Sequence, residues 1–173
     1  MYRLPDDLFQ IAMADLPADS GAPLPAVRRS IEPLKRAGAT VVTLDLTLAQ
    51  NPDLTFEYGL NGIPYWKAKP ILAKLGETQL WTLNNKTPWS HPLHLHGCFF
   101  QVLDENGDPV RPLAWKDTVD VPFEKTLRLL VRFDERPGAW MVHCHILDHA
   151  EGGLMTTVQL GDSPAGDAAH PKH

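Results

Sequence analysis

Apolar and polar residues alternate with a period of two over several short runs, the first of which follows Ala39. Val42, Leu44 and Leu46 occupy alternate positions in that run. Successive side chains of a β-strand point to opposite faces of a sheet, so this period predicts a strand. Similar runs predict further strands at residues 55–60, 77–83, 94–103, 118–121, 126–133, 139–145 and 154–160.

Turn signals separate the predicted strands. Asn61-Gly62 follows one strand and Asn106-Gly107 follows another, and the chain contains 16 prolines and 12 glycines. Short strands with frequent turns and little helical pattern favour two packed antiparallel sheets. The sequence therefore predicts an all-β protein, a Greek-key β-sandwich, over residues 39–161.

The two ends of the chain differ from this central region. Residues 1–38 are rich in proline, alanine and charge, with a weak helical pattern at 26–36. We interpret them as a linker, or as a strap across a neighbouring domain. Residues 162–173 are small and polar, which predicts a disordered tail. The first residues show no basic segment followed by an apolar one, so the sequence does not indicate a secretory signal in this chain.

Composition excludes several kinds of partner. The net charge of −5 and the pI of about 5.9 give no sign of a nucleic-acid binder. No apolar run approaches the ~18 residues that a membrane-spanning helix needs. Cys98 and Cys144 could form one disulfide at most, and the surroundings of Cys144 indicate a different role for it.

Six of the eight histidines fall into two short motifs. The first motif, HPLHLHG, and the second, HCHILDH, contain His91, His94, His96, His143, Cys144, His145 and His149. Imidazole and thiolate are good ligands for borderline and soft metals, so this clustering predicts metal sites.

Strand geometry divides these ligands into two sets. His143 and His145 share one face of a strand, and Cys144 between them points to the other. His94 and His96 likewise share a face. His91 is an odd number of residues from both, so an extended chain would place it on the opposite face. The chain after Cys144 can loop back to bring His149 to the thiolate side. The spacing therefore predicts one His2Cys group, of the composition that suits blue copper. It also predicts a second group of four imidazoles.

The two motifs resemble the paired C-terminal copper signatures of the multicopper oxidases, such as laccases. LNGIPY, GETQLWTLNN, FFQVLDENG, WKDTVDV and PGAWMVHCH also resemble the third cupredoxin domain of that family in order and spacing. The resemblance covers residues 39–161 and implies copper as the cofactor. It implies a type 1 copper on His91, Cys144 and His149, a type 2 copper on His94, and a type 3 pair on His96, His143 and His145.

The resemblance also implies a function. A reducing substrate would give single electrons to the type 1 copper, and Cys144, His143 and His145 would conduct them to a trinuclear cluster that reduces O2 to water. Phenols, aromatic amines and metal ions are possible reductants. A cuprous-ion site would use soft thioether ligands, and the sequence contains no methionine-rich segment. We therefore favour organic, laccase-type substrates. The family resemblance places the protein in the periplasm or outside the cell.

The sequence departs from the family pattern at two points. Leu154 stands ten residues after Cys144, where bacterial members often have an axial methionine, and Met155 is its neighbour. Adjacent strand residues point oppositely, so we expect Leu154 to be an axial non-ligand and Met155 to face away. The second departure is that a trinuclear cluster takes four His-x-His motifs and this chain has two. N-terminal cupredoxin domains or another chain would have to complete the cluster.

Two other functions fit parts of the pattern. A stand-alone electron carrier would use only His91, Cys144 and His149, and would leave the other four imidazoles without a role. A non-catalytic piece would dock through residues 1–38 and its sheet faces to a separate chain. Structural zinc is a further alternative, but it requires four convergent donors, and these ligands divide between two faces.

The remaining candidates have structural interpretations. We expect Cys98 to be a small buried apolar residue. Aromatic residues are assigned to the core rather than to a substrate cage: Trp81, Phe99, Trp115, Phe133 and Trp140. Asp117 is interpreted as a turn residue, with a hydrogen bond to a ligand histidine as the alternative. Asp148 and Glu151 are interpreted as solvated charges, with an influence on substrate choice as the alternative.

Overall fold

A computed structural model describes residues 30–134 and 136–161 of the 173-residue chain. The described part contains ten strands: β1 (Thr40–Gln50), β2 (Phe56–Leu60), β3 (Ile71–Ala73), β4 (Thr78–Asn85), β5 (His91–Leu95), β6 (Phe99–Leu103), β7 (Thr118–Val121), β8 (Thr126–Arg132), β9 (Gly138–Cys144) and β10 (Met155–Leu160). A 3-10 turn at Tyr65–Lys67 and a short helix α1 (Leu147–Glu151) are the helical elements of the described residues. None of the helices described is long and apolar enough to cross a membrane.

The strands form two five-stranded sheets. The first sheet has the order β2-β1-β4-β8-β6, and the second has the order β3-β10-β9-β5-β7. Most pairs are antiparallel, but β1 with β4 and β10 with β3 are parallel. From β4 to β9 each strand lies in the opposite sheet to the one before it. The predicted all-β Greek-key sandwich is therefore confirmed.

The core lies between the sheets, where alternate residues of facing strands are buried. Leu46, Trp81 and Leu83 come from the first sheet, while Val142 and Leu160 come from the second. Each of these side chains is at most 1% exposed. Burying a large apolar side chain stabilises a fold by roughly 1.5–3 kcal/mol, so this layer fixes the relative position of the sheets.

The described part of the N-terminal segment packs on the outer face of the first sheet. Leu34 contacts a small apolar cluster of Leu80, Leu103 and Leu130. The side-chain amide of Gln101 accepts a hydrogen bond from Leu34 N–H at 2.8 Å and donates one to the Glu32 carbonyl at 2.9 Å. The helical pattern predicted at 26–36 is wrong for residues 31–36, which form no helix, and two of their backbone groups bond to Gln101 instead. Residues 1–29 and 162–173 lie outside the described residues.

One predicted strand, 94–103, is two strands. The chain leaves β5 at His96-Gly97 and re-enters the first sheet as β6 at Phe99. Gly97 has φ +67°, and a Cβ atom there would lie 2.3 Å from the Trp140 ring. Only glycine fits this backbone conformation and this contact, so the break is built into the sequence. Strand β3 was not predicted, because three residues are too few to show a period.

The aromatic predictions divide. Trp81 and Phe133 are core residues, at 1% and 0% exposure. Phe99 and Trp115 are not, at 47% and 39% exposure, and Trp140 is half-buried beside Gly97. Trp140 nevertheless packs against the core. Phe99 lies in β6, where alternation does not show which face meets the other sheet, and Trp115 lies outside the strands, where no period applies. Cys98 is buried and free, which confirms its predicted packing role.

Candidate metal centre

Strands β5 and β9 are neighbours, and their register sorts the histidine motifs onto two faces. Leu93 lies opposite Cys144, and His94 lies opposite His143. Directly opposed residues share a face, so Cys144 points into the sandwich and His143 points out of it. His91 is two residues from Leu93 and is fully buried on the inner face. The predicted division of the ligands therefore follows from this one pairing.

On the inner side, His91, Cys144 and His149 converge. Cys144 Sγ lies 3.6 Å from His91 Nδ1 and 3.9 Å from His149 Nδ1, and the two Nδ1 atoms are 3.1 Å apart. Helix α1 brings His149 back to the thiol, because the helix begins at Leu147, three residues after Cys144. Three donors from two separate motifs thus meet at one point.

The two sulfur–nitrogen distances fit a bound metal ion, whereas the 3.1 Å between the two Nδ1 atoms is shorter than such an ion would set. A trigonal ion with metal–nitrogen bonds of about 2.0–2.1 Å and a metal–sulfur bond of about 2.3 Å separates its ligand atoms by about 3.5–3.8 Å. Two neutral Nδ1 atoms that face each other at 3.1 Å have lone pairs that repel, unless a proton or a cation lies between them. Two imidazoles with one thiolate form the donor set that suits blue copper.

Burial sets the protonation of these groups in the metal-free protein. It lowers the pKa of His91 to about 4, and the neighbouring His149 acts in the same direction. Burial also lowers the pKa of His149 and raises the pKa of the Cys144 thiol. The backbone N–H of Ile146 donates to Cys144 Sγ at 3.4 Å and opposes that rise. Neutral imidazoles offer lone pairs to a metal, and metal binding would release the thiol proton.

Leu154 lies in the core and is hydrogen-bonded to the backbone of Cys144. Its side chain is fully buried, and its carbonyl accepts the Cys144 N–H at 3.1 Å. Met155 is paired with His143, so it shares the outward face of that residue and points away from the thiol. Leu154 has no donor atom in its side chain, and the axial role predicted for this position stays a prediction.

On the outer side, the four remaining imidazoles form one cluster. Ring centroids are 4.8 Å apart for His94 and His96, 5.0 Å for His94 and His145, and 5.2 Å for His143 and His145. His96 Nε2 lies 2.9 Å from His143 Nε2. His145 is exposed and the other three are half-buried, so the cluster opens to the surface of this domain.

Hydrogen bonds at Nδ1 orient two of these rings, those of His143 and His94. His143 Nδ1 lies 3.0 Å from the Cys144 carbonyl, and His94 Nδ1 lies 3.1 Å from the Asp117 carbonyl. A carbonyl only accepts, so each Nδ1 carries the hydrogen and each Nε2 is left as a lone pair directed at the cluster. Asp117 thus contacts His94 through its backbone, while its carboxylate accepts from the Thr118 hydroxyl at 2.9 Å.

Three residues near the inner site were missed from the sequence. Tyr58 of β2 stacks on His149 with ring centroids 4.5 Å apart, and the Trp89 ring is 6.0 Å from His149. The Thr87 hydroxyl lies 2.6 Å from His91 Nε2. Tyr58 is distant in the chain, and no period marks Thr87 or Trp89, so the sequence carried no signal for any of them. Asp148 and Glu151 are exposed.

A buried His2Cys group beside a cluster of four imidazoles, in a Greek-key sandwich, defines a copper-binding domain of the cupredoxin class. Comparison with known proteins gives the family: the multicopper oxidase family matches residues 37–163. The chain belongs to the multicopper oxidases, a family of copper-dependent oxidoreductases.

Individual relatives agree with this assignment. Copper resistance protein A of Escherichia coli is 37% identical over 118 residues, which cover 68% of this chain and 19% of that protein. A laccase of Haloferax volcanii is 33% identical over 109 residues, which cover 60% of this chain and 19% of that protein. The crystal structure of the McoA multicopper oxidase from Aquifex aeolicus matches with a TM-score of 0.64 and 29% identity. That match covers 76% of this chain and 31% of McoA. The chain thus spans about a fifth of the length of these two curated relatives.

Proposed function

We propose that this chain is the C-terminal domain of a multicopper oxidase, with a complete type 1 copper site and half of a trinuclear site. The observation that supports this most directly is the meeting of three donors, His91, Cys144 and His149, on one side of β9, with four imidazoles on the other. Copper bound at these positions would supply one-electron redox chemistry and the reduction of O2 to water.

The residues of β9 would connect the two sites. Cys144 is bonded through the backbone to His143 and His145, which belong to the outer cluster. The hydrogen bond from His143 Nδ1–H to the Cys144 carbonyl adds a second short connection of 3.0 Å. An electron that leaves the thiolate would therefore need to cross only one residue to reach either imidazole.

Electron entry would occur at His149. This residue is half-buried, whereas His91 is fully buried. Trp89 is 44% exposed beside His149, and Leu147 of the same helix is 67% exposed. An aromatic and apolar surface next to the entry point favours an organic reductant such as a phenol, in keeping with the laccase among the relatives.

A partner would complete the outer cluster. Four imidazoles at an open face supply half of the eight that a trinuclear site of this family takes. The chain spans about a fifth of its curated relatives, which is consistent with further domains in the active protein. The partner would be an N-terminal cupredoxin domain or another chain. We further propose that the active protein works in the periplasm or outside the cell.

The test is to measure bound copper and oxygen consumption with a phenolic reductant, on copper-loaded chain of known oligomeric state. We expect the monomer to bind type 1 copper and to show no four-electron reduction of O2, and we expect activity to appear when the missing domains are added. Turnover by a demonstrated monomer would refute the need for a partner. A different result would indicate an electron carrier: about one copper per chain, electron transfer, and no oxidase activity even after the missing domains are added. Absence of copper binding would indicate a structural role.

A further inference from the structure

His91 is held by a buried hydrogen-bond network at the nitrogen that faces away from the thiol. Its Nε2 lies 2.6 Å from the hydroxyl oxygen of Thr87, and its Nδ1 faces Cys144. His91 and Thr87 are 0% and 1% exposed, so water does not compete for this contact. Either atom could in principle carry the shared hydrogen, and the surrounding groups decide which one does.

Asn85 fixes the polarity of the network. Its side-chain nitrogen lies 2.6 Å, 3.0 Å and 3.1 Å from the carbonyl oxygens of Trp89, Val121 and Pro122. Carbonyls only accept, so this atom must be the NH2 group, and the amide oxygen must face Thr87. Asn85 is 3% exposed, and its amide has no solvent-facing alternative.

The amide oxygen then fixes the Thr87 hydroxyl. Asn85 Oδ1 accepts the Thr87 N–H at 3.0 Å and lies 2.9 Å from Thr87 Oγ1. The Trp89 carbonyl lies 3.2 Å from the same hydroxyl oxygen. Two acceptors thus surround a hydroxyl that has one hydrogen to donate. If that hydrogen went to His91, the Thr87 oxygen would face the oxygen atoms of Asn85 and Trp89 with no hydrogen between them. Such an arrangement of buried oxygen atoms is costly at low dielectric.

The Thr87 hydroxyl therefore donates to oxygen and accepts from nitrogen. The Trp89 N–H supplies one accepted bond at 3.4 Å, and His91 Nε2–H supplies the other. This uses the one donor and two acceptor positions of a hydroxyl group. His91 Nε2 must then carry the ring hydrogen, and Nδ1 is left as a lone pair directed at Cys144 and His149.

We propose that Asn85 and Thr87 are positioning residues that set the tautomer and the ring orientation of His91, so that its Nδ1 is prepared to bind a metal before any metal arrives. The role in copper binding rests on the proposed function, whereas the tautomer is a property of the chain itself. A hydrogen bond donated by the far ring nitrogen also increases the basicity of the ligating one, which strengthens metal binding.

The tautomer can be measured on the full-length, copper-free chain by nitrogen-15 NMR of labelled histidine at pH 7. We expect the His91 Nε2–H form in the unaltered chain, and a mixed or reversed population in Thr87→Val. Thr87→Ser keeps the hydroxyl and should restore the Nε2–H form. An Nδ1–H tautomer in the unaltered chain would overturn the proposal, and this result does not depend on whether any variant folds.

A second measurement tests the consequence for the metal. Copper affinity should fall about 10–100-fold in Thr87→Val, with a shifted type 1 absorption spectrum, and Thr87→Ser should recover both. Thr156→Val is the matched control, because Thr156 is a buried threonine of β10 that is 4% exposed and is paired with Val142 of β9. Equal affinities and spectra in Thr87→Val and the unaltered chain would overturn the positioning role. If the unaltered chain binds no copper, the proposed function fails, and the NMR result alone decides the tautomer.

Discussion

Replacement of Leu154 by methionine tests the geometry of the inner site most directly. The Leu154 side chain is fully buried, and its carbonyl is tied to the Cys144 N–H at 3.1 Å, so the backbone cannot move far. Methionine has a similar volume and a flexible side chain, and such exchanges usually cost less than about 1.5 kcal/mol. We therefore expect Leu154→Met to fold and to bring a thioether toward the metal position.

The added thioether should lower the reduction potential of the type 1 copper. An axial sulfur that favours Cu(II) over Cu(I) shifts the potential downward, and each tenfold preference corresponds to about 59 mV for one electron. Redox titration of the blue absorption would measure the shift. Leu154→Ile, which adds no donor atom, is the control for altered packing, and it should leave the potential within a few tens of millivolts, well under one tenfold step.

A potential that is unchanged or raised in Leu154→Met would refute this reasoning. It would mean either that residue 154 does not lie over the copper or that another group already occupies the axial position. Met155 is the group to examine in that case, although its pairing with His143 places it on the outer face. A higher potential in Met155→Leu than in the unaltered chain would then identify Met155 as that group.

Three further changes have defined outcomes. Cys144→Ser should abolish the strong thiolate-to-copper absorption of the copper-loaded chain, and a colour that persists would contradict the site. Gly153→Ala should destabilise the fold by about 2–4 kcal/mol, because φ is +116° and a Cβ would lie 2.3 Å from the Tyr58 carbonyl. Urea unfolding measures this loss, and an unchanged unfolding midpoint would contradict that contact. The copper-free chain should lose stability as the pH falls from about 6.5 to about 4, because the unfolded chain protonates His91 in this window and the folded chain does not. His91 alone should lower the free energy of unfolding by up to about 3 kcal/mol over this range. Urea unfolding at each pH measures the loss, and a stability that rises on acidification would contradict the burial of a neutral imidazole.

The sequence was sufficient for the fold class and for the division of the candidate metal ligands between two faces. Both depend on local geometry: a period of two identifies strands, and odd or even spacing decides which face each residue occupies. Cys144 between His143 and His145 must point away from both as long as the segment is extended. The same reasoning separated Met155 from Leu154.

Tertiary structure decided everything that depends on which elements meet. The need for glycine at position 97 is visible only in the fold, where the Trp140 ring from far along the chain lies against it. Phe99 and Trp115 are exposed because of where their segments lie, a fact that alternation alone does not contain. Tyr58 reaches His149 only because β2 lies near α1. Asn85 and Thr87 are close to His91 in the chain, but their contacts depend on the conformation of the turn between β4 and β5. Ligand types are a property of local sequence, whereas the contacts that orient the ligands depend on how turns and strands pack, and no sequence period reveals them.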